Sequence, residues 1–244
     1  MTMNNILLIE TATDICSAAV SHEGIIISSE RIDEPRQQAS RLTPLILSVV
    51  NNAGMSINDI DAVAVSSGPG SYTGLRTGVS TAKGICFGAG IPLIGIDTLT
   101  VTAMGVLNAV DCPDTLIIPM IDARRMEVYT ALFDASGKRL SEISAVILEP
   151  ETFSDVMGAY RRIIITGDGA AKYENILAGQ YRDRCVFLPG HPCAEHMAVP
   201  AWEAMKEKRF EDTAYFEPFY LKEFQASSPS RRLEAILHPE SKKP

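Results

Sequence analysis

Long apolar runs are missing from this 244-residue chain. No stretch approaches the roughly eighteen consecutive apolar residues that a membrane-crossing helix needs. A basic surplus is missing too. Twenty-two Lys and Arg stand against thirty Asp and Glu, a net charge of −8 with a pI near 5.1, and such a chain repels phosphate backbones. That argues against tight nucleic-acid binding by this chain alone. The arginine pairs at 124/125, 161/162 and 231/232 are scattered and read as solvated faces. The five cysteines, at 16, 86, 112, 185 and 193, are odd in number and include no CxxC pair, which excludes a disulfide framework or a standard zinc pattern. Cys16 and Cys86 sit among small apolar residues and are expected to be buried thiols. The first residues lack a basic stretch, an apolar stretch and a small-residue cleavage site in succession. A cytoplasmic protein is expected. No Gly-x-Ser-x-Gly turn is present, and Ser66, Ser67 and Ser71 have no partner pattern that would make one of them a nucleophile.

Apolar residues make up 46% of the chain, enough for a sizeable core in one large or two modest domains. The most informative stretch is Ser66–Gly78, SSGPGSYTGLRTG. It follows the apolar run Ala62–Val65 and leads into an apolar-periodic run, Thr73–Phe87, so it reads as strand, glycine-rich turn and helix. A helix N-terminus after such a turn can receive an anion. Yet Leu75-Arg76 follow Gly74 where a P-loop has Lys-Ser/Thr, and Thr73 stands where the dinucleotide fingerprint has its third glycine. The residues leave two readings, a tight turn or an anion cradle, and the loose match favours the turn.

The order of elements repeats. Strands are expected at Asn5–Ile9, Ser17–Val20 and Gly24–Ser28, then a helix at Ser40–Ala53 closed by Gly54, with Pro44 in its first turn or kinking it. Strand Ala62–Val65, helix Thr73–Phe87 and strand Leu93–Ile96 complete a first unit. After a crossover helix at Thr98–Ala109, the second half offers strands at Leu116–Met120, Glu127–Phe133 and Ala145–Leu148. A helix near Thr152–Met157, strand Ile163–Thr166, a helix near Ala171–Leu177, strand Val186–Leu188 and helix Ala194–Lys206 follow. A meander followed by alternating helix and strand is the ribonuclease-H-like pattern. Two in tandem predict an α/β protein of the two-lobed actin-like (ASKHA) fold. We place the lobes at residues 1–100 and 101–226, with a flexible tail, rich in Ser, Pro and charge, at 227–244.

Four stretches, ILLIETATDICSAAVSHEG (6–24), SSGPGSYTGLRTGVSTAKGICFGAGIPLIGIDTL (66–99), MIDARRMEVYTALF (120–133) and EPFYL (217–221), resemble the TsaB family, also called YeaZ. The match spans both halves. The resemblance implies the two-lobed fold and a non-catalytic partner of TsaD, the transferase that places a threonylcarbamoyl group on an adenosine beside the tRNA anticodon. It further implies a TsaE-like ATPase as a second partner and tRNA met only through the complex. No membrane and no cofactor are implied. A homodimer is the alternative assembly.

The residues bear on that loss of catalysis. Two-lobed ATPases carry Asp-x-Gly-Gly in the first turn of the second lobe, so that bare backbone meets the phosphates. Here the stretch is Asp122-Ala123-Arg124-Arg125-Met126, without glycine. Its bland reading is an ion pair or interlobe contact. Glu10 stands for the commoner Asp in the first turn, beside Thr11 and Thr13. Thr166-Gly167-Asp168-Gly169-Ala170 resembles the adenosine-binding loop. Glu10, Thr13, Asp122, Arg124, Gly167 and Gly169 thus form a candidate vestigial nucleotide cleft, against which stands a plain hydrogen-bonded turn. TsaD-like relatives hold a metal through two histidines four apart on the first-lobe helix. This chain has Arg36-Gln37-Gln38-Ala39-Ser40-Arg41-Leu42 there, and no metal is expected. The cluster His191, Cys193, Glu195 and His196 matches no zinc spacing and reads as residues at a helix start.

Helix Thr73–Phe87 carries small residues at 74, 78, 81 and 82, a shallow face that another backbone can approach closely. From the residues alone its own sheet is the favoured neighbour. In TsaB-like proteins this helix and the preceding one contact TsaD, which makes Leu42, Leu45, Leu75, Gly78, Val79 and Lys83 candidate partner contacts. Core packing is the alternative for Leu42, Leu45 and Val79.

Overall fold

The computed structural model describes residues 4–34, 38–177 and 179–222. The tail expected at 227–244 and the stretch around Arg36 and Gln37 lie outside them.

The apolar run after Asn5 forms β1 (Asn5–Glu10), a central strand buried along its whole length. β2 (Cys16–His22) and β3 (Ile25–Ile32) complete an antiparallel meander. Helix α1 (Gln38–Asn52) follows. It starts two residues earlier than expected, which leaves Pro44 in its interior rather than its first turn. Gly54, with φ +71°, ends it in the left-handed conformation that only glycine adopts cheaply. Strand β4 (Ala62–Gly68), helix α2 (Tyr72–Ala89) and strand β5 (Leu93–Asp97) close the unit. Ser71 caps α2 by accepting the Gly74 N–H at 3.3 Å, and Gly90 ends it at φ +68°.

Helix α3 (Thr98–Met104) crosses to the second half, capped by Asp97. There follow β6 (Thr115–Asp122), β7 (Glu127–Thr130), β8 (Ser144–Ile147), α4 (Ser154–Met157) and β9 (Arg162–Thr166). Next come α5 (Ala170–Glu174), α6 (Gly179–Arg182), β10 (Cys185–Leu188) and α7 (Ala198–Lys206). The strand orders are β3-β2-β1-β4-β5 and β8-β7-β6-β9-β10, so the two sheets repeat one topology. In each, a meander meets two parallel strands. This is the tandem ribonuclease-H-like arrangement of the two-lobed actin-like fold. The short α6 had no sequence counterpart, and β7 stops three residues sooner than expected, with Phe133 held by isolated bridges to Ile117 and Arg139.

Each sheet is covered on both faces. On the first, Leu7, Ile9, Val63 and Val65 pack against Leu42, Leu45 and Val49 of α1 and Val79 and Ala82 of α2. The other face, with Ile6, Leu8 and Ala64, packs against Ala194, Met197, Ala198 and Ala201. The chain therefore returns to the first lobe from Ala194 onward, which the expected second-lobe range of 101–226 did not anticipate. Small side chains there allow close seating of helix on sheet. On the second sheet, Leu99 and Ala103 of α3 cover Ile117, Ile121 and Ile164. Tyr173 of α5 and Met157 of α4 cover Leu116, Ile118 and Ile163.

Beyond α7, residues 211–222 form a strap along the first lobe. Its backbone is tied by Glu211 N–H to Leu93 O at 2.9 Å and by Phe219 N–H to Ser67 O at 2.7 Å. At its end Lys222 pairs with Glu127 of the second lobe. Among the described residues no helix is long and apolar enough to cross a membrane.

Candidate functional site

The first turn of lobe one follows β1. Glu10 is fully buried, and its Oε1 accepts the Ala12 N–H at 2.6 Å and the Ser66 hydroxyl at 3.0 Å. Its Oε2 is shut away from solvent without a hydrogen-bond partner. Burial pushes its carboxyl up to about 7, against the lowering pull of the Ala12 and Ser66 hydrogen bonds. Thr13 is buried beside it, 3.3 Å from the His191 Nδ1 on the return crossover. Glu10 is thus locked into the turn by hydrogen bonds.

The glycine loop presses on the same turn. Ser71 N–H donates to Ala12 O at 2.6 Å, and the Thr11 hydroxyl donates to Gly74 O at 2.8 Å. A Cβ on Gly74 would lie 2.1 Å from Thr11 O, and one on Gly78 would lie 2.2 Å from Thr11 Oγ1. The glycines serve close packing of α2 on β1. The tight-turn reading of Ser66–Gly78 describes this geometry, with the Ser71 amide bound to Ala12 O and the Gly74 amide to Ser71 Oγ.

Across the cleft, the second-lobe turn keeps a glycine-like backbone without glycines. Arg124 and Arg125 sit at φ +72° and +52°. Asp122 Oδ1 accepts the Arg124 N–H at 2.5 Å and pairs with Lys172 at 2.6 Å. The Asp122 N–H donates to Asp168 Oδ1 at 2.9 Å, and burial raises the Asp168 carboxyl against the pull of that hydrogen bond. Gly167 has φ +102°, and a Cβ there would lie 2.1 Å from Met120 O. A Cβ on Gly169 would lie 2.8 Å from Val128 Cγ1. The structure brings Glu10 and Thr13 to one wall, and Asp122, Arg124, Gly167 and Gly169 to the other.

Cys193 is buried at the start of the segment that re-enters lobe one, and its N–H donates to His196 Nδ1 at 3.3 Å. That fixes the His196 proton on Nε2, and burial lowers its basicity further. The ring lies flat on Gly105, where a Cβ would come within 2.5 Å of Cε1. Among the described residues no group of three or more His, Cys, Asp or Glu side chains is placed to hold a metal ion. A cavity of about 420 Å³ lies between the two crossovers, walled by Thr102, Val106, Leu188, His191 and His196.

The helix pair needs correction. Leu42, Leu45, Leu75, Gly78 and Val79 are all buried inside lobe one, so these side chains form its core or its close contacts and offer no surface to a partner. Lys83 points at the strap, donating to Phe216 O at 2.9 Å and Ala214 O at 3.2 Å. The outward faces carry other residues. On α1 these include Arg41, Thr43, Pro44, Leu47 and Asn51, and on α2 Thr73, Arg76, Ser80, Gly84, Phe87 and Gly88. Leu47 is 51% exposed and Phe87 88%. The Thr77 and Thr81 hydroxyls turn back onto the carbonyls of Thr73 and Thr77, so the stretch of α2 after Arg76, which lies over the Tyr72 ring, has low relief up to Phe87. The residues alone favoured the sheet as neighbour of the small-residue face, as Gly74 and Gly78 show; the family resemblance turned that stripe toward a partner, one position out of phase with the outward face. The polar period through Thr73, Ser80 and Gly84 was the signal that could have placed it.

Two lobes of one meander-and-crossover topology, joined by paired crossovers, make this a two-lobed actin-like α/β protein. The solved structure of YeaZ from Pseudomonas aeruginosa superposes with a TM-score of 0.76 at 25% identity, covering 90% of this chain and all of that one. The tRNA threonylcarbamoyladenosine biosynthesis protein TsaB of Escherichia coli K12 is 32% identical over 223 residues, 89% of this chain and 94% of that protein. The protein of the same description from Haemophilus influenzae is 36% identical over 126 residues, 51% of each chain. Residues 33–228 match the family model described as TsaD, tRNA N6-adenosine threonylcarbamoyltransferase. The chain belongs to the TsaB (YeaZ) family and so to tRNA threonylcarbamoyladenosine biosynthesis.

Proposed function

We propose that this chain is a non-catalytic subunit of the tRNA threonylcarbamoyladenosine synthase that docks a TsaD-like transferase and supports its productive conformation. The observation that carries this is the outward face of α1 and α2. Small residues at Thr73, Ser80, Gly84 and Gly88 let a facing helix approach closely, and Leu47 and Phe87 stand out as exposed apolar anchors. A partner built on the same lobe topology can present a matching helix pair. A TsaE-like ATPase joins this pair, and tRNA is met through the assembly.

The cleft supports the non-catalytic part. Its phosphate-facing turn holds Arg124 and Arg125 where bare backbone is needed. A nucleotide-dependent kinase or transferase would need both turns open. The homodimeric reading rests on the same exposed face, since α1 and α2 could meet their own copy.

Light scattering after gel filtration tests the proposal, with this chain alone and mixed with the TsaD-like protein of the same genome. A mixed peak, lost with Gly84→Arg while the melting temperature is kept, is the expected result. A complex untouched by Gly84→Arg and Phe87→Asp would discard this face. Threonylcarbamoyl transfer by this chain alone would discard the non-catalytic role.

A further inference from the structure

A second cavity, of about 520 Å³, lies at the N-terminal edge of the second sheet, where β6, β9 and β10 begin. Those strands run parallel, so this edge is opposite the end carrying Asp122 and Asp168. Three arginines line it: Arg161, Arg162 and Arg184, together with Asp111, Asp183 and Val186. In a chain of net charge −8, three arginines gathered at one cavity are a local concentration of cations, set beside Asp111, Asp183 and Asp114.

The donors of this cavity outnumber its acceptors. A guanidinium carries five N–H donors and no acceptor. Arg162 Nη1 takes Asp111 at 2.5 Å, but its Nε is shielded from solvent without a partner. Arg184 Nη1 donates to Tyr160 O at 2.9 Å, and its guanidinium lies 5.2 Å from the centroid of the Tyr181 ring. Among the described residues the Arg161 guanidinium makes no hydrogen bond or ion pair. Its own backbone is fixed, because Arg161 N–H donates to Asp114 Oδ2 and Arg162 N–H to Asp114 O, both at 3.2 Å. Three guanidinium groups around one cavity match an oxyanion that can accept from several sides at once.

We propose that this cavity binds a phosphate group. A tetrahedral phosphate accepts from the guanidinium groups of Arg161, Arg162 and Arg184 that line it. The volume exceeds a bare phosphate, so the group belongs to a larger molecule, either a free phosphorylated metabolite or a stretch of RNA backbone. The site stands apart from the α1–α2 face and does not depend on the docking reading.

Calorimetric titration of the full chain with inorganic pyrophosphate tests it. Saturable binding is expected, weakened about tenfold or more by Arg161→Glu and by Arg184→Ala. Arg161→Glu changes an exposed side chain, and an unchanged melting temperature shows that the fold is kept. Absence of binding at millimolar pyrophosphate, or binding unaltered in Arg161→Glu, would overturn the proposal. Competition then separates the sources. Displacement of pyrophosphate by a tRNA transcript, with a salt slope that Arg161→Glu reduces, identifies RNA backbone. Displacement by nucleoside diphosphates but not by tRNA identifies a free ligand.

Discussion

The Thr11 hydroxyl and the Cα of Gly78 face each other so closely that a single added carbon on Gly78 would sit 2.2 Å from Thr11 Oγ1. The same hydroxyl donates to Gly74 O, one turn earlier on α2. Thr11 therefore pins α2 to the end of β1, and the helix gives up side chains at two positions to allow it. An interior helix glycine costs about 1 kcal/mol relative to alanine.

Gly78→Ala should therefore destabilise the protein although alanine is the better helix former. Overpacking typically costs about 1–3 kcal/mol, of which the gain in helix propensity returns about 1. Urea unfolding at constant m-value measures the difference. Thr11→Ala removes the obstructing hydroxyl, so the double variant should recover part of the loss. A Gly78→Ala protein as stable as the parent would mean that α2 is seated differently.

This contact marks the limit of what the sequence carried. The alternation of β1–β3 and the glycine-rich turn before α2 were legible, because period-2 strands and turn residues are local signals. For Leu42, Leu45 and Val79 the residues alone left core packing open and favoured the helix's own sheet, and the family resemblance pointed outward instead; the structure places all three in the core. The return of residues 194–222 to lobe one was invisible. Helix Ala194–Lys206 had the right period, but only Met197 and Ala201 meeting Ile6 and Leu8 decides which lobe it covers. In the cleft, the missing glycines at 124 and 125 were plain, while their left-handed backbone was not.

That backbone yields a second expectation. Arg124 and Arg125 occupy a region that costs a non-glycine residue roughly 1–2 kcal/mol, whereas glycine there loses only about 0.5–1 kcal/mol of chain entropy. Arg125→Gly should raise stability by about 0.5–1 kcal/mol by that difference. Arg125→Val, β-branched and denied the left-handed region, should lower it. A thermal shift series in one buffer checks both, and a loss of stability in Arg125→Gly would show that the guanidinium makes a contact worth more than the strain.

Glu10 supplies a pH dependence. Its carboxyl titrates near 7 in the folded protein and near 4.5 in the reference state, because burial disfavours its charge. Below 4.5 both states are protonated and Glu10 contributes nothing. As pH rises toward 7 the folded state holds the extra proton, so stability falls, and above 7 the full penalty of about 3 kcal/mol applies. Glu10→Gln keeps an acceptor for Ala12 N–H and Ser66 and removes the titration. The variant should gain about 1–3 kcal/mol over the parent at pH 8, with the gap closing toward pH 5. Parallel stability–pH curves for the two proteins would show that Glu10 does not titrate in this window.

Lys83 governs the strap. Its ammonium holds Phe216 O and Ala214 O, and between those carbonyls Tyr215 stands 83% exposed. Phe87 lies one turn further along the same face of α2, so the strap and the exposed helix face share an edge. Lys83→Met keeps the aliphatic stem over the helix and removes both charge-assisted hydrogen bonds, each worth about 1.5–3 kcal/mol where it is not exposed to solvent. Lys83 is partly exposed, so the expected loss in global stability is smaller, about 1 kcal/mol. The local effect should be larger. Phe219 N–H, bonded to Ser67 O, and Glu211 N–H, bonded to Leu93 O, should exchange faster with solvent in the variant, while the amides of β1 keep their protection. Under the proposed docking, a strap that shares the interface would make Lys83→Met weaken binding of a TsaD-like protein without touching α2's outward residues. Hydrogen exchange read residue by residue decides it: uniform acceleration across lobe one would make Lys83 a general stabiliser, and acceleration confined to 211–219 makes it the clasp of the strap.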